Sequence, residues 1–501
     1  MSATRSTVVA DDARELRRGV LVTYLGYALK LGMPVLIALA TRAYGVERWG
    51  LFVSSQAVVL VAARLSILGL DKSLLWAIAR REPSQALVGV RPACMLVALT
   101  STLVSLGLVV APTLLSFEDS ALAATLRVVA LGIPPFALSE ILLHTTLGRR
   151  RMELQVAVRE TLNPVLQVAA ALALFQLGEA EQGLSWSFVI AQGVGLAVAW
   201  LGFRHLFRDT ALPAREGFAI PRPMLRYAAP LWLADSANSF SLRLDTLALA
   251  ALTDPVTVGI WGVVTQFANA LRQIRRAYDP LVTAITARIA VEADSGRLTA
   301  AFSYAAQMVA LTQLPVFAVL LTFADAILPL YGPGFERGTQ ALIVLAGFFL
   351  LSGGTGLSGL VINGYGRSTL TLINVLLNLA LQLGLLLWLV PRYGLIGAAV
   401  AIGASLCAVN LLQLLEMRAI TGSFHYARRT RFSLAVVLGS AAAMAAGALG
   451  AQVLGLGTSA ARALVMLGFA AAYTSLCLLG FRRGVLRAPG SSPSILPAAV
   501  T

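Results

Sequence analysis

Apolar runs of about 20 residues recur from one end of this chain to the other, long enough for each to cross a hydrocarbon core as a helix. That feature leaves few folds open. In lipid a backbone must satisfy its own hydrogen bonds, so the choice narrows to helices or a closed barrel. Uninterrupted apolar runs of this length exclude the alternating pattern of a barrel strand. Of the 501 residues, 58% are hydrophobic and only 13% charged, with a mean hydropathy of +0.79. The expectation is an all-α integral membrane protein.

We count about fourteen spans of roughly 20 residues. They lie near 20–43, 49–77, 93–116, 121–147, 161–178, 184–203, 227–252, 259–287, 300–322, 339–363, 369–390, 395–416, 432–453 and 462–481. The polar start MSATRSTVVADDARELRRG has no signal-peptide character, so span 1 is expected to be retained. Loops alternate in charge. Arg80, Arg81 and Arg91, Arg149 to Arg151, the run from Arg204 to Arg226, and Arg418 with Arg428, Arg429 and Arg431 fall on one side. Glu118 with Asp119, Glu179 with Glu181, Asp254, Asp325 and Glu336 fall on the other. The positive-inside rule then places both termini in the cytoplasm. It also accounts for the net charge of +15, so nucleic acid is not an expected partner.

The organisation expected is a cytoplasmic segment 1–19, an N-terminal lobe 20–203 of six helices, a cytoplasmic linker 204–226 and a second six-helix lobe 227–416. Two further helices fill 432–481, and a Pro/Ser-rich tail at 486–501 has the composition of disorder. Across the linker the chain repeats weakly. YGVERWGLFVSSQAVVLVAARLSILGLDKSLLWAIAR matches TDPVTVGIWGVVTQFANALRQIRRAYDPLVTAITARIA in segment length and turn position when Gly50 is set against Gly259. With an even number of spans per half the repeat is parallel, and a site is expected between the halves.

Ionisable residues inside spans cost about 2.5–3.5 kcal/mol each at mid-bilayer, so they mark cavities or pairs. They concentrate in 226–291. In span 8, Gln266, Asn269, Arg272 with Gln273, and Arg276 recur at helical spacing and share one face. Arg272 lies about 20 Å along the helix from Gly259. Span 7 carries Asp235, Ser239 and Arg243 on one face, with Asp245 further on; span 1 carries Lys30, and span 2 Arg64, Asp71 and Lys72. Lys30, Arg64, Arg243 and Arg272 ringing a cavity would suit a phosphate, to which Arg offers a fork and Lys a point charge. The competing readings are locking pairs such as Arg64 with Asp235, snorkelling of Arg275 and Arg276, and pairing of Asp279 with either. Asp71, Asp235, Asp245 and Asp279 also stand as candidates for ion coupling or for pairs between the lobes.

Cys94, Cys407 and Cys477 form no motif, and His144, His205 and His425 lack metal-ligand spacing, so neither set is assigned a role and no metal or cofactor is expected. Pro34, Pro134, Pro135, Pro164, Pro230, Pro280 and Pro315 interrupt spans and free backbone carbonyls. SGGTGLSG (352–359) lacks a phosphate-loop pattern and reads as close helix packing. Short outer loops leave no place for an enzyme constellation.

Several stretches resemble one family: AYGVERWGLF and LGLDKSLLWAIAR, LLHTTLGRRRMELQVAVRETLNPVLQ, YAAPLWLADSANSFSLRLDTLALAALTDPVTVGIWGVV, ILPLYGPGFERGTQALIVLAG, LSGLVINGYGRSTL and PRYGLIGAAVAIG. Together they cover spans 1–12. They resemble the polysaccharide-exporter branch of the multidrug/oligosaccharidyl-lipid/polysaccharide exporter superfamily, the flippases of O-antigen and exopolysaccharide repeat units. The resemblance implies two six-helix lobes in a V, alternating access, and translocation of an undecaprenyl-diphosphate-linked oligosaccharide to the periplasmic leaflet of a bacterial inner membrane. It implies basic residues on helices 1, 2 and 8 at the diphosphate, here matched in helix and depth by Lys30, Arg64 and Arg272. It also implies membrane lipids, H+ or Na+, and polysaccharide polymerase and chain-length proteins as partners. Spans 13–14 look like the extra pair that such flippases carry beside the lipid tail. The alternatives are a cation-coupled antiporter of drugs or metabolites and, ranked below it, a membrane-bound glycan polymerase or ligase.

Overall fold

The computed structural model describes residues 2–80, 87–114, 120–149, 152–208, 220–292, 295–422, 424 and 428–486, with most of their side chains from 33 onward but not those of 79, 80, 88, 120, 280, 281, 283–285, 287–292, 295, 368 and 428–430. Most of the linker and nearly all of the tail lie outside the described residues. Among those described there is helix and turn and no strand. The chain folds as an all-α, multi-pass membrane protein, with nine described helices long and apolar enough to cross a bilayer. The outward faces are apolar, as lipid requires. On one helix Leu99, Leu103, Leu106 and Leu114 all point outward.

The helices are α1 (Ser2–Ser66), α2 (Leu70–Arg80), α3 (Val90–Leu114), α4 (Ser120–Ala130), α5 (Ile133–Leu147), α6 (Met152–Gln155), α7 (Asn163–Gln176) and α8 (Gly183–Leu206). Then follow α9 (Arg222–Ser241), α10 (Leu244–Leu252), α11 (Pro255–Glu292), α12 (Ser295–Ile327), α13 (Thr339–Thr355), α14 (Ser358–Gly364), α15 (Ser368–Thr421), α16 (Arg428–Val453) and α17 (Thr458–Arg482). Spans 1 and 2 meet inside α1 at one non-helical residue, Gly45, with φ 82 and ψ 164. Spans 11 and 12 meet inside α15 at Gly394, with φ 53 and ψ −125. Both conformations are glycine territory, so each expected turn shrinks to a single residue.

Packing divides the chain into two compact units, residues 1–262 with 330–334, and residues 263–329 with 335–501. The first is built around Ile67, Leu70, Leu74, Val97, Ile141, Val158 and Phe203. Segment 330–334 is tied into it by Tyr331, whose hydroxyl donates to the Pro34 carbonyl at 2.9 Å. The second has two clusters, one at Val282, Phe302, Leu357 and Met417, the other joining α12 to α16 and α17 through Leu311, Ala318, Val436 and Phe469.

Candidate functional site

Two features near the end of α1 set the chemistry of the first unit. Leu68 and Gly69 both have positive φ, 57 and 69, and they break the helix before α2 begins. In an unbroken helix Arg64 and Asp71 would stand about 10 Å apart along the axis. The break swings α2 back, and Arg64 Nη1 donates to Asp71 Oδ2 at 2.9 Å. Gly69 also sits against α9, where a Cβ would lie 2.6 Å from the Ala228 carbonyl oxygen.

The second feature is a π-helical stretch, Val156–Leu162, between α6 and α7. Such insertions are frequent at functional sites. This one carries Arg159, whose Nε lies 2.6 Å from Glu140 Oε1 on α5. Its other nitrogens donate to Ser139 Oγ at 2.9 Å, to the Phe136 carbonyl at 3.1 Å and to Gln192 Oε1 at 3.1 Å. The guanidinium also lies over the Phe136 ring at 4.2 Å. Glu140 Oε2 in turn lies 3.5 Å from Arg64 Nη2. His144, one turn beyond Glu140, completes the group, its Nε2 3.9 Å from Asp71 Oδ2. Two guanidinium groups thus face two carboxylates, of which Asp71 is 1% and Glu140 6% exposed. Buried charges persist in low dielectric only when paired this closely.

The sequence pointed to Arg64 and Asp71 but not to Glu140, His144 or Arg159. It offered Arg64 with Asp235 as a locking pair; instead Asp235 on α9 pairs with Lys72 on α2. This seam between α2 and α9 is reinforced by stacking of Trp76 on Tyr227 at 4.9 Å, and beside it Trp232 Nε1 ties α9 to the end of α1 by donating to the Leu65 carbonyl at 2.9 Å. Asp245 accepts from Trp261 Nε1 at 3.0 Å, tying α10 to α11. Arg243, in the turn between α9 and α10, is half-buried. Apart from the field of Asp245 two residues on, its side chain makes no hydrogen bond or ion pair among the described residues. The side chain of Lys30 lies outside the described residues.

In the second unit the polar positions of α11 are the less buried ones. Asn269 and Arg272 are half-buried and Gln273 and Arg276 exposed, while Val264, Ala268 and Leu271 are buried. Arg272 Nη1 reaches Asn269 Oδ1 at 3.5 Å, and its guanidinium lies 5.3 Å from the Phe349 ring centre. Arg275 Nη1 contacts Asp279 Oδ1 at 3.3 Å and the Gly356 carbonyl at 3.4 Å. The side chain of Arg276 makes no hydrogen bond or ion pair among the described residues, although its charge acts on Asp279.

Comparison with known proteins places this architecture. A lipid II flippase, MurJ, in an inward closed conformation matches with a TM-score of 0.71 at 10% identity, over 93% of this chain and 99% of that one. An inward-facing multidrug resistance MATE family transporter of the MOP superfamily matches at 0.60 and 17% identity, over 79% and 98%. A MOP superfamily transporter from Pyrococcus furiosus matches at 0.56 and 18%, over 82% and 96%. These likenesses show the fold, that of MOP-superfamily transporters. No curated protein sequence matches the chain. The family model described as polysaccharide biosynthesis protein matches residues 16–277, more than half of the sequence, and the chain belongs to that family.

Proposed function

We propose that this protein is a flippase that carries a polyprenyl-diphosphate-linked oligosaccharide repeat unit from the cytoplasmic to the outer leaflet of a bacterial inner membrane, by alternating access and without covalent chemistry. The carrying observation is two arginines set among apolar helices, Arg243 in the turn between α9 and α10 with its side chain unpaired among the described residues, and Arg272 on the polar face of α11. A cation so placed has to be compensated, and a doubly charged headgroup compensates it. Family membership supports the glycan, and the flippase fold spans more of the chain than the MATE folds do.

Lys30, Arg64, Arg243, Arg272 and Arg276 are the proposed headgroup contacts, with Asn269 and Gln273 beside them for the sugar. Asp71, Asp235, Asp245 and Asp279 hold cations in place or serve coupling to H+ or Na+. The two lobes on this reading are helices 20–203 and 227–416, with both termini cytoplasmic and 432–481 attached to the second. A groove of about 620 Å³ among α12, α16 and α17, lined by Leu314, Phe317, Val437, Met444 and Val465, suits a polyprenyl chain. Polysaccharide polymerase and chain-length proteins would act on the product.

Deletion tests this. The expected result is a lipid-linked glycan accumulating on the cytoplasmic leaflet, restored to export by the wild-type gene and not by Arg272→Ala expressed at the same level. Normal export by Arg272→Ala would remove Arg272 from the substrate path. The MATE likeness favours a second reading, cation-coupled export of drugs or metabolites. Hypersensitivity to cationic drugs on deletion, with no glycan build-up, would favour it.

A further inference from the structure

We propose that His144 is a proton-binding residue that governs how firmly Asp71 holds Arg64, so that protonation frees Arg64 for an anionic headgroup. This rests on the reading of Arg64 as a headgroup contact.

The tautomer of His144 is fixed by its neighbour. Its Nδ1 lies 2.9 Å from the carbonyl oxygen of Glu140, and a carbonyl can only accept, so Nδ1 carries the proton. In the neutral ring Nε2 then presents a lone pair, and what it faces is Asp71 Oδ2 at 3.9 Å. Two acceptors point at each other. Asp71 is 1% exposed, and its other oxygen, Oδ1, has no hydrogen-bond partner. A buried carboxylate with an orphan oxygen is short of donors. A proton on Nε2 turns this facing of lone pairs into an ion-pair attraction to the carboxylate at 3.9 Å, which a small rotation of either side chain closes to a charge-assisted hydrogen bond.

The charged groups facing His144 come from every element around it. They are Asp71 on α2, Glu140 on its own helix with Oε2 3.7 Å from Nδ1, Arg64 on α1, and Arg159 through Glu140. With His144 neutral, two cations balance two anions. With His144 charged, three cations share two anions and one of them must loosen. Arg159 is held by Glu140, Ser139, Phe136 and Gln192. Arg64 has two contacts, the second at 3.5 Å, and is 27% exposed. Arg64 is the one that yields.

A divalent metal fits less well. Donor atoms of Asp71, Glu140 and His144 lie within 4.8 Å of one another, but Arg64 already occupies Asp71 Oδ2 and Glu140 Oε2, and a doubly charged ion there would sit against the guanidinium. A proton adds a single charge and needs no room.

Inorganic pyrophosphate is the probe, titrated into the purified full-length protein at about pH 8 and about pH 6, the range in which histidine changes charge. Comparing wild type with His144→Gln at each pH cancels the probe's own protonation. Wild type should gain several-fold in affinity over His144→Gln at the lower pH. Asp71→Asn should bind at the higher pH as tightly as wild type does at the lower, and Arg64→Ala should lose the dependence. The same pH response in His144→Gln and wild type overturns the proposal. If wild type binds no pyrophosphate at either pH, the headgroup reading of Arg64 fails on its own. The proton site is then read by 15N-histidine NMR, simplified by a total of three histidines. A His144 midpoint that moves in Asp71→Asn supports the site, and one that stays put overturns it.

Discussion

Gly50 and Gly259 lie against each other reciprocally. A Cβ on Gly50 would strike the carbonyl oxygen of Pro255, and a Cβ on Gly259 the carbonyl oxygen of Val46, four residues before its partner in each case. The same Cβ atoms would lie 2.9 Å from the Gly259 amide nitrogen and 3.1 Å from that of Gly50. Contacts of i with j and j with i are the mark of a two-fold relation. The sequence repeat set Gly50 against Gly259, so the weak internal likeness and the geometry share one register.

Alanine at either glycine has to push backbone away, because the obstructing atoms are main-chain. Gly50→Ala and Gly259→Ala should each destabilise by about 1–3 kcal/mol. The double variant should cost less than the sum, since the first separation makes room for the second methyl. Thermal unfolding in detergent reads this, with Gly107→Ala, which meets nothing within 4 Å, as the control. Strict additivity would mean that the two contacts are independent.

Glu140 is the pivot of the buried charge group, touched by both Arg64 and Arg159. Removing its charge leaves a buried Arg159 uncompensated, so Glu140→Gln should cost about 3–5 kcal/mol. Adding Arg159→Met should recover part of that loss. A double-mutant cycle on unfolding free energy checks both, and a coupling near zero would show that the pair contributes nothing to stability.

Asp254 caps α11. Its Oδ1 accepts from the Thr257 amide at 3.0 Å and its Oδ2 from the Thr257 hydroxyl at 2.7 Å, with Pro255 in the first helical position. Burial raises the carboxyl's pKa, but the hydrogen bonds from Thr257 outweigh it and hold the group below its ordinary range. A depressed carboxylate stabilises above its unfolded pKa and loses that contribution as pH falls through the folded one. Asp254→Ala should cost about 1 kcal/mol at neutral pH. Asp254→Asn should keep much of the cap and flatten the loss below about pH 4. Melting temperature against pH distinguishes the two.

Helices, repeat and the charged stretch 226–291 were legible because apolar length and helical spacing are local signals. The partners of the charges were not. Arg64 meets Glu140 from a distant span, and Lys72 meets Asp235 across the linker, pairings that no local pattern encodes. Part of the missing signal was nonetheless present. Glu140 and His144 stand one turn apart inside FALSEILLHTTL, and an acidic residue in an apolar span demands a partner. Judging histidines only by metal-ligand spacing hides that. Arg159 was beyond reach, since it sits at the edge of a span and is turned inward by a π stretch that the sequence does not announce.

The seam between α2 and α9 allows electrostatics and backbone fit to be ranked. Lys72 is 39% exposed, so its pair with Asp235 is screened, and Lys72→Ala should cost less than about 1 kcal/mol. Trp232→Phe removes the hydrogen bond to the Leu65 carbonyl, a loss of about 0.5–1.5 kcal/mol. Gly69→Ala meets two obstacles together, a φ of 69 and the Ala228 carbonyl oxygen at 2.6 Å. The backbone term alone is about 1–2 kcal/mol, and α9 has to retreat as well. The expected order of melting-temperature loss is therefore Gly69→Ala, then Trp232→Phe, then Lys72→Ala. If Lys72→Ala instead produced the largest drop, the ion pair rather than the close glycine contact would hold α9 on α2.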